Sequence, residues 1–88
     1  MSEDLIQRVT KVIATSKRIL VETVTIDSQF ETLGIDSMDA VEILFALEGE
    51  FDISIPDEEV RTVRNVRDMC AGVERLLAAK NADAPAGK

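Results

Sequence analysis

The sequence predicts an all-α protein: a small four-helix bundle with three principal helices, one short third helix and a long loop between helices one and two. Three observations point there. Apolar residues recur at three- and four-residue spacing in three separate stretches, as a buried helix face requires. Pro56-Asp57-Glu58-Glu59 has the form of a helix start. The β-branched stretch from Val21 to Ile26 finds no partner strand, and a lone strand is not stable.

The first helix rests on Leu5, Ile6, Val9, Val12 and Ile13, which share one face. Ser2 suits its N-cap, and Glu3 and Asp4 suit the positive end of its dipole. It should fade between Ser16 and Arg18. Residues 19–35 read as a loop pinned to the core by Ile19, Val21, Val24, Ile26, Phe30 and Leu33. Leu33-Gly34 marks a turn, with glycine supplying a positive φ. The second helix begins near Asp36 or Ser37 and ends near Phe51. Its expected buried stripe is Met38, Val41, Leu44, Phe45 and Leu47, with Asp39, Glu42, Ala46 and Glu50 opposite. The short third helix has Val60 and Val63 as its apolar anchors. The last helix starts near Asn65, a good N-cap, and buries Val66, Met69, Cys70, Val73, Leu76 and Leu77. The domain is expected to span residues 1–80, with a disordered tail over 81–88.

Charge narrows the function. The 88 residues carry a net charge of −7, unevenly spread. Between Arg18 and Arg61 there are twelve acids and no base, whereas the flanks hold ten bases against five acids. An acidic middle argues against binding nucleic acid through its phosphates. The absence of histidine removes Ser-His-Asp and Cys-His catalysis and imidazole metal sites. EF-hand spacing also fails. Counted from Asp36, the third and sixth positions are Met38 and Val41; counted from Asp27, they are Gln29 and Thr32. No metal ligand is assigned. One cysteine forms no internal disulfide, and no apolar run approaches about 18 residues. A cytoplasmic monomer without membrane insertion is expected.

The stretch Leu33-Gly34-Ile35-Asp36-Ser37-Met38-Asp39 carries the chemistry. It places Ser37 at a helix start just after a glycine turn. Such a serine is exposed, and nearby backbone N–H groups favour an anionic substituent. An equal reading is that Ser37 or Asp36 serves only as a helix cap, the usual task of these residues.

Phe30-x-x-Leu33-Gly34-x-Asp36-Ser37-Met38 resembles the prosthetic-group attachment motif of acyl carrier proteins. Asp39-Ala40-Val41-Glu42 and the run from Ala46 to Glu59 resemble the following helix, loop and helix of that family. The resemblance covers about 75 residues and is tightest from Phe30 to Val66. It implies a 4′-phosphopantetheine arm attached to Ser37 by a phosphopantetheinyl transferase using coenzyme A, with Asp36 and Gly34 shaping the turn. Acyl intermediates of fatty acid, lipid or polyketide-type biosynthesis would ride on the arm as thioesters. Such a chain is a carrier and not an enzyme. The resemblance further implies that Asp39, Glu42, Glu48, Glu50, Asp57 and Glu58, with Met38 and Val41, dock on basic surfaces of acyl-transferring or condensing enzymes. Phe45, Leu47, Val63, Val66, Met69 and Cys70 would line an acyl cavity. Phe45 and Met69 are bulkier than is usual there, which should narrow it.

Three departures favour a specialised carrier. The first helix ends Ser16-Lys17-Arg18-Ile19, without the family's usual Leu-Gly pair. The Phe30–Gly34 segment is one residue shorter than in common relatives. Arg61, Arg64 and Arg67 add positive charge where many relatives have none, either as solvated side chains, as partners for carboxylates or as a selectivity element. The competing readings are a peptidyl or aminoacyl carrier and an acidic helical adaptor without a prosthetic group.

Overall fold

Helix α1, Glu3–Lys17, opens on Ser2, whose hydroxyl accepts the Leu5 N–H at 3.1 Å. It closes at Arg18, which takes φ 59°. This is the left-handed position where the expected glycine is missing. An L-residue there costs roughly 1–2 kcal/mol, and the capped carbonyls of Ala14 and Thr15 are the compensation. The computed structural model describes residues 2–56 and 58–83. Asp57 and the Val60 side chain therefore lie outside the described residues.

The expected loop over 19–35 contains two helical turns. Val21–Thr23 is a 3₁₀ turn and Phe30–Leu33 is a one-turn helix, α2. Four residues are too few to show a 3.6-residue repeat, so periodicity misses α2. Its cause is local. Gly34, at φ 76°, turns its N–H back to Glu31 and Phe30, and the Ile35 N–H reaches the Phe30 carbonyl at 2.9 Å. Phe30 is buried, and its own N–H donates to the Arg64 carbonyl at 2.9 Å. The Val66 N–H donates in turn to Ser28. This isolated antiparallel bridge between Gln29 and Asn65 ties the loop to the last helix.

Helix α3 spans Ser37–Phe51, α4 spans Glu58–Thr62 and α5 spans Val66–Asp83. Helix α5 starts as expected, with the Asp68 N–H donating to the Asn65 side chain at 2.7 Å. It runs through Asp83, three residues past the expected boundary at Lys80, and residues 84–88 lie outside those described. Helix α4 is short and is held partly from outside, by an Arg75–Glu59 ion pair at 2.9 Å. Among the described residues no helix is long and apolar enough to cross a membrane.

The core lies where α1, α3 and α5 meet. Val9 and Ile13, Ile43 and Leu47, and Val66, Cys70 and Val73 are all essentially inaccessible. Cys70 is an inert core residue: burial pushes its thiol up to about 11.

The expected stripe of α3 is corrected. Its buried residues are Ala40, Ile43, Leu44, Leu47 and Phe51. Met38, Val41 and Phe45 are 77%, 43% and 67% exposed. The helix carries apolar residues on almost every side between Met38 and Leu47, so two different faces satisfy the same period. Packing against α1 and α5 selects one of them. Two substitutions test this choice by chemical denaturation. Ile43→Ala should cost about 2–5 kcal/mol, as cavity-forming core truncations do. Phe45→Ala should cost less than about 0.5 kcal/mol, as exposed changes do.

Candidate functional site

Ser37 is the first residue of α3 and is exposed. Its position follows from a short chain of local causes. Gly34 closes α2 and turns the chain; Asp36 then adopts extended backbone and caps α3. The Asp36 carboxylate accepts the Asp39 N–H at 2.9 Å, and Asp39 reciprocates by accepting the Asp36 N–H at 3.3 Å. This is a capping box with aspartate at both positions. The Ala40 N–H goes to the Asp36 carbonyl. The N–H groups of Ser37 and Met38 remain without an acceptor among the described residues, and these are the donors an anion at the helix start would use.

Lys17 binds this turn to the end of α1. Its ammonium donates to Asp39 at 2.9 Å and to the Gly34 carbonyl at 3.1 Å. With side chains 22% and 28% exposed, this is the least solvated of the ion pairs among the described residues. The hydrogen bond from Lys17 holds the Asp39 carboxyl below the usual aspartate value, helped by the Asp36 N–H and opposed by partial burial.

Beside Ser37 runs an open groove of about 310 Å³. Phe30, Ile35, Ala40 and Val63 provide its apolar lining; Gln29, Glu31, Asp36 and Arg64 are polar. A smaller space of about 10 Å³ lies between α3, α4 and α5, lined by residues that include Leu44, Ile55, Val63 and Met69. Val63 borders both.

The residues expected to line an acyl cavity separate into three groups. Val63 and Met69 line the small interior space. Leu47, Val66 and Cys70 are sealed in the core and line neither space. Phe45 points to solvent and lines neither, so its bulk does not narrow the cavity.

The acids expected on the docking face differ in their surroundings. Asp39 faces α1 and is occupied by Lys17. Glu50 pairs with Arg8 at 2.9 Å, and Arg8 also lies 4.3 Å from the Phe51 ring centre. Glu48 accepts the Ile55 N–H at 2.7 Å and so closes the loop after α3. Neighbours along α3 contain no base to pair with these acids, but α1 supplies two. Pairing across helices is invisible to i, i+4 arithmetic. Glu42 and Glu58 are exposed without a partner among the described residues, as are Met38 and Val41. Phe45 joins these last two on one face, at helical spacing.

Known proteins agree with this architecture. A family model described as phosphopantetheine attachment site matches residues 4–73. An acyl carrier protein of Rickettsia bellii is 40% identical over 68 residues, which cover 76% of this chain and 79% of that one. An acyl carrier protein of Akkermansia muciniphila is 38% identical over 78 residues, covering 86% and 98%. The crystal structure of an acyl carrier protein from Thermotoga maritima superposes with a TM-score of 0.77 at 30% identity, covering 88% of this chain and 91% of that one.

The Lys17–Asp39 contact has a pH signature. Because the folded-state pKa of Asp39 is depressed, the stability it contributes is present above about pH 3.8, its ordinary value, and is lost as pH falls through the folded value. In a carboxyl-carbon NMR titration, Lys17→Met should shift the Asp39 midpoint upward towards 3.8. An unchanged midpoint would show that Lys17 does not hold this carboxylate.

Proposed function

This chain belongs to the acyl carrier protein family, and on that premise we propose that Ser37 is its attachment residue. The protein carries acyl groups on 4′-phosphopantetheine for biosynthetic enzymes and is not itself an enzyme. The observation supporting Ser37 is its place at the start of α3: exposed, next to free N–H groups and lining the groove. The arm fits this setting. Its phosphodiester is anionic and suits the Ser37 and Met38 N–H groups, and its remainder is amphipathic like the groove. When bound, the arm supplies a terminal thiol whose thioester is reactive enough for acyl transfer.

What the chain itself contributes is position. Asp36 is committed to the helix cap, and no base among the described residues is hydrogen-bonded to the Ser37 hydroxyl. Activation of that hydroxyl therefore falls to the phosphopantetheinyl transferase. Gly34 and the capping box hold Ser37 clear of the core, so the arm begins in solvent and can reach a partner. Val63, shared by groove and interior, marks where an acyl chain passes inwards between α3, α4 and α5. A long chain needs those helices to separate, because the interior space is small.

Docking rests on Met38, Val41 and Phe45, together with the exposed acids Glu42 and Glu58. Apolar contact carries more of it than charge, since Asp39, Glu48 and Glu50 are already engaged. This balance, together with the arginines at 61, 64 and 67, favours a specialised cytoplasmic carrier with a dedicated partner.

Two measurements test the reading. Treatment with coenzyme A and a broad-specificity transferase should add the mass of one phosphopantetheine to the wild type and nothing to Ser37→Ala; an unchanged gain in the variant would refute the assignment. In the same assay Phe45→Ala and Glu42→Lys should each raise the transferase KM about 5–30-fold, the range of an aromatic or charged interface anchor. Glu48→Gln should raise it less than about twofold. Equal effects from all three would argue against an apolar docking face.

A further inference from the structure

Arg64 stands out among the arginines. Its backbone is fixed on both sides: the N–H donates to Asp68 at 3.2 Å and the carbonyl accepts the Phe30 N–H at 2.9 Å. Its side chain is exposed and lines the groove that also contains Ser37. It makes no hydrogen bond or ion pair among the described residues. The other nearby cations differ. Lys17 is spent on Asp39 and Gly34, and Arg67 pairs with Asp27 at 2.7 Å. Arg61 is exposed but lies outside the groove lining.

The groove otherwise has an electrostatic fault as a berth for an anion. Glu31 and Asp36 both line it. A phosphodiester on Ser37 would meet these carboxylates, and within a Debye length like charges repel. Among the described residues of the lining, Arg64 is the one cation that can offset them. Guanidinium suits the task because its planar array of donors matches phosphate oxygens.

We propose that Arg64 is a positioning residue for the prosthetic arm: its guanidinium pairs with the phosphodiester on Ser37 and biases the arm to lie along the groove towards Val63. The proposal rests on Ser37 as the attachment residue. It assigns a task to a guanidinium that has no carboxylate partner among the described residues. A groove-bound arm brings the acyl group to the boundary of the interior space. A released arm presents it to solvent and to a partner. A partner carboxylate that captured Arg64 would then also free the arm.

The test uses the holo protein, with attachment at Ser37 verified by intact and peptide mass. An arm found elsewhere would overturn the attachment reading itself, and this proposal with it. On correctly loaded protein, phosphorus NMR and proton NOEs are compared for wild type, R64Q, R64K and R61Q. In the wild type the phosphorus resonance should move as salt rises from about 0.05 to about 0.5 M, which screens an exposed ion pair. NOEs should join the arm's geminal methyl groups to Ile35 and Val63. In R64Q the salt response should vanish and the NOEs should weaken roughly two- to fivefold, the span of an exposed charge pair. R64K should keep the salt response, and R61Q should match the wild type. Amide spectra of the apo variants check that the bridge to Phe30 is intact. An R64Q arm indistinguishable from wild type, or an equal loss in R61Q, would overturn the proposal.

Discussion

One turn organises this molecule: the passage from Gly34 to Asp39. It must reverse the chain after α2, start a four-turn helix and leave Ser37 in solvent. Each requirement has its own device. The left-handed backbone at Gly34 needs the absence of a Cβ to be unstrained. The reciprocal Asp36–Asp39 contacts satisfy donors that a helix start leaves unpaired. Lys17 then clamps the turn to α1 by two contacts from a single ammonium. Without the clamp, the position of Ser37 relative to the bundle would depend only on the packing of α3.

The same economy accounts for the acidic middle of the chain. A dense run of carboxylates with no internal base repels itself and destabilises a compact state. The flanking helices relieve part of this, through Lys17, Arg8, Arg67, Arg75 and Lys80. Most of these pairs are well exposed, and each contributes little to stability. Their larger effect is on the surface. They place a cation beside Asp39, Glu50 and Glu59. The exposed residues of α3 include the apolar row Met38, Val41 and Phe45, with Glu42 beside Val41 in the sequence.

Groove and interior are two spaces that share Val63 as a lining residue. Ser37, Arg64 and Val63 all line the groove, and Val63 and Met69 line the narrow interior space. The bridge between Gln29 and Asn65 joins two stretches whose residues Gln29, Phe30, Val63 and Arg64 line the groove. It does so with backbone hydrogen bonds alone, so side chains such as Arg64 stay available for contacts of their own.

The sequence by itself determined the four longer helices and several of their caps, because these depend on neighbours within four or five residues. Ser2, Gly34, Asp36 and Asn65 act locally, and each does what its position implied. The one-turn helix at Phe30 escaped notice because four residues have no period to display. Only the tertiary structure decided which face of α3 is buried. Met38, Val41 and Phe45 keep the same spacing as Ala40, Ile43 and Leu47, and the choice between the two sets belongs to α1 and α5. The partners of Asp39 and Glu50 likewise come from a helix more than twenty residues away. Burial and ion pairing are properties of the packed bundle, and no local pattern in the chain encodes them.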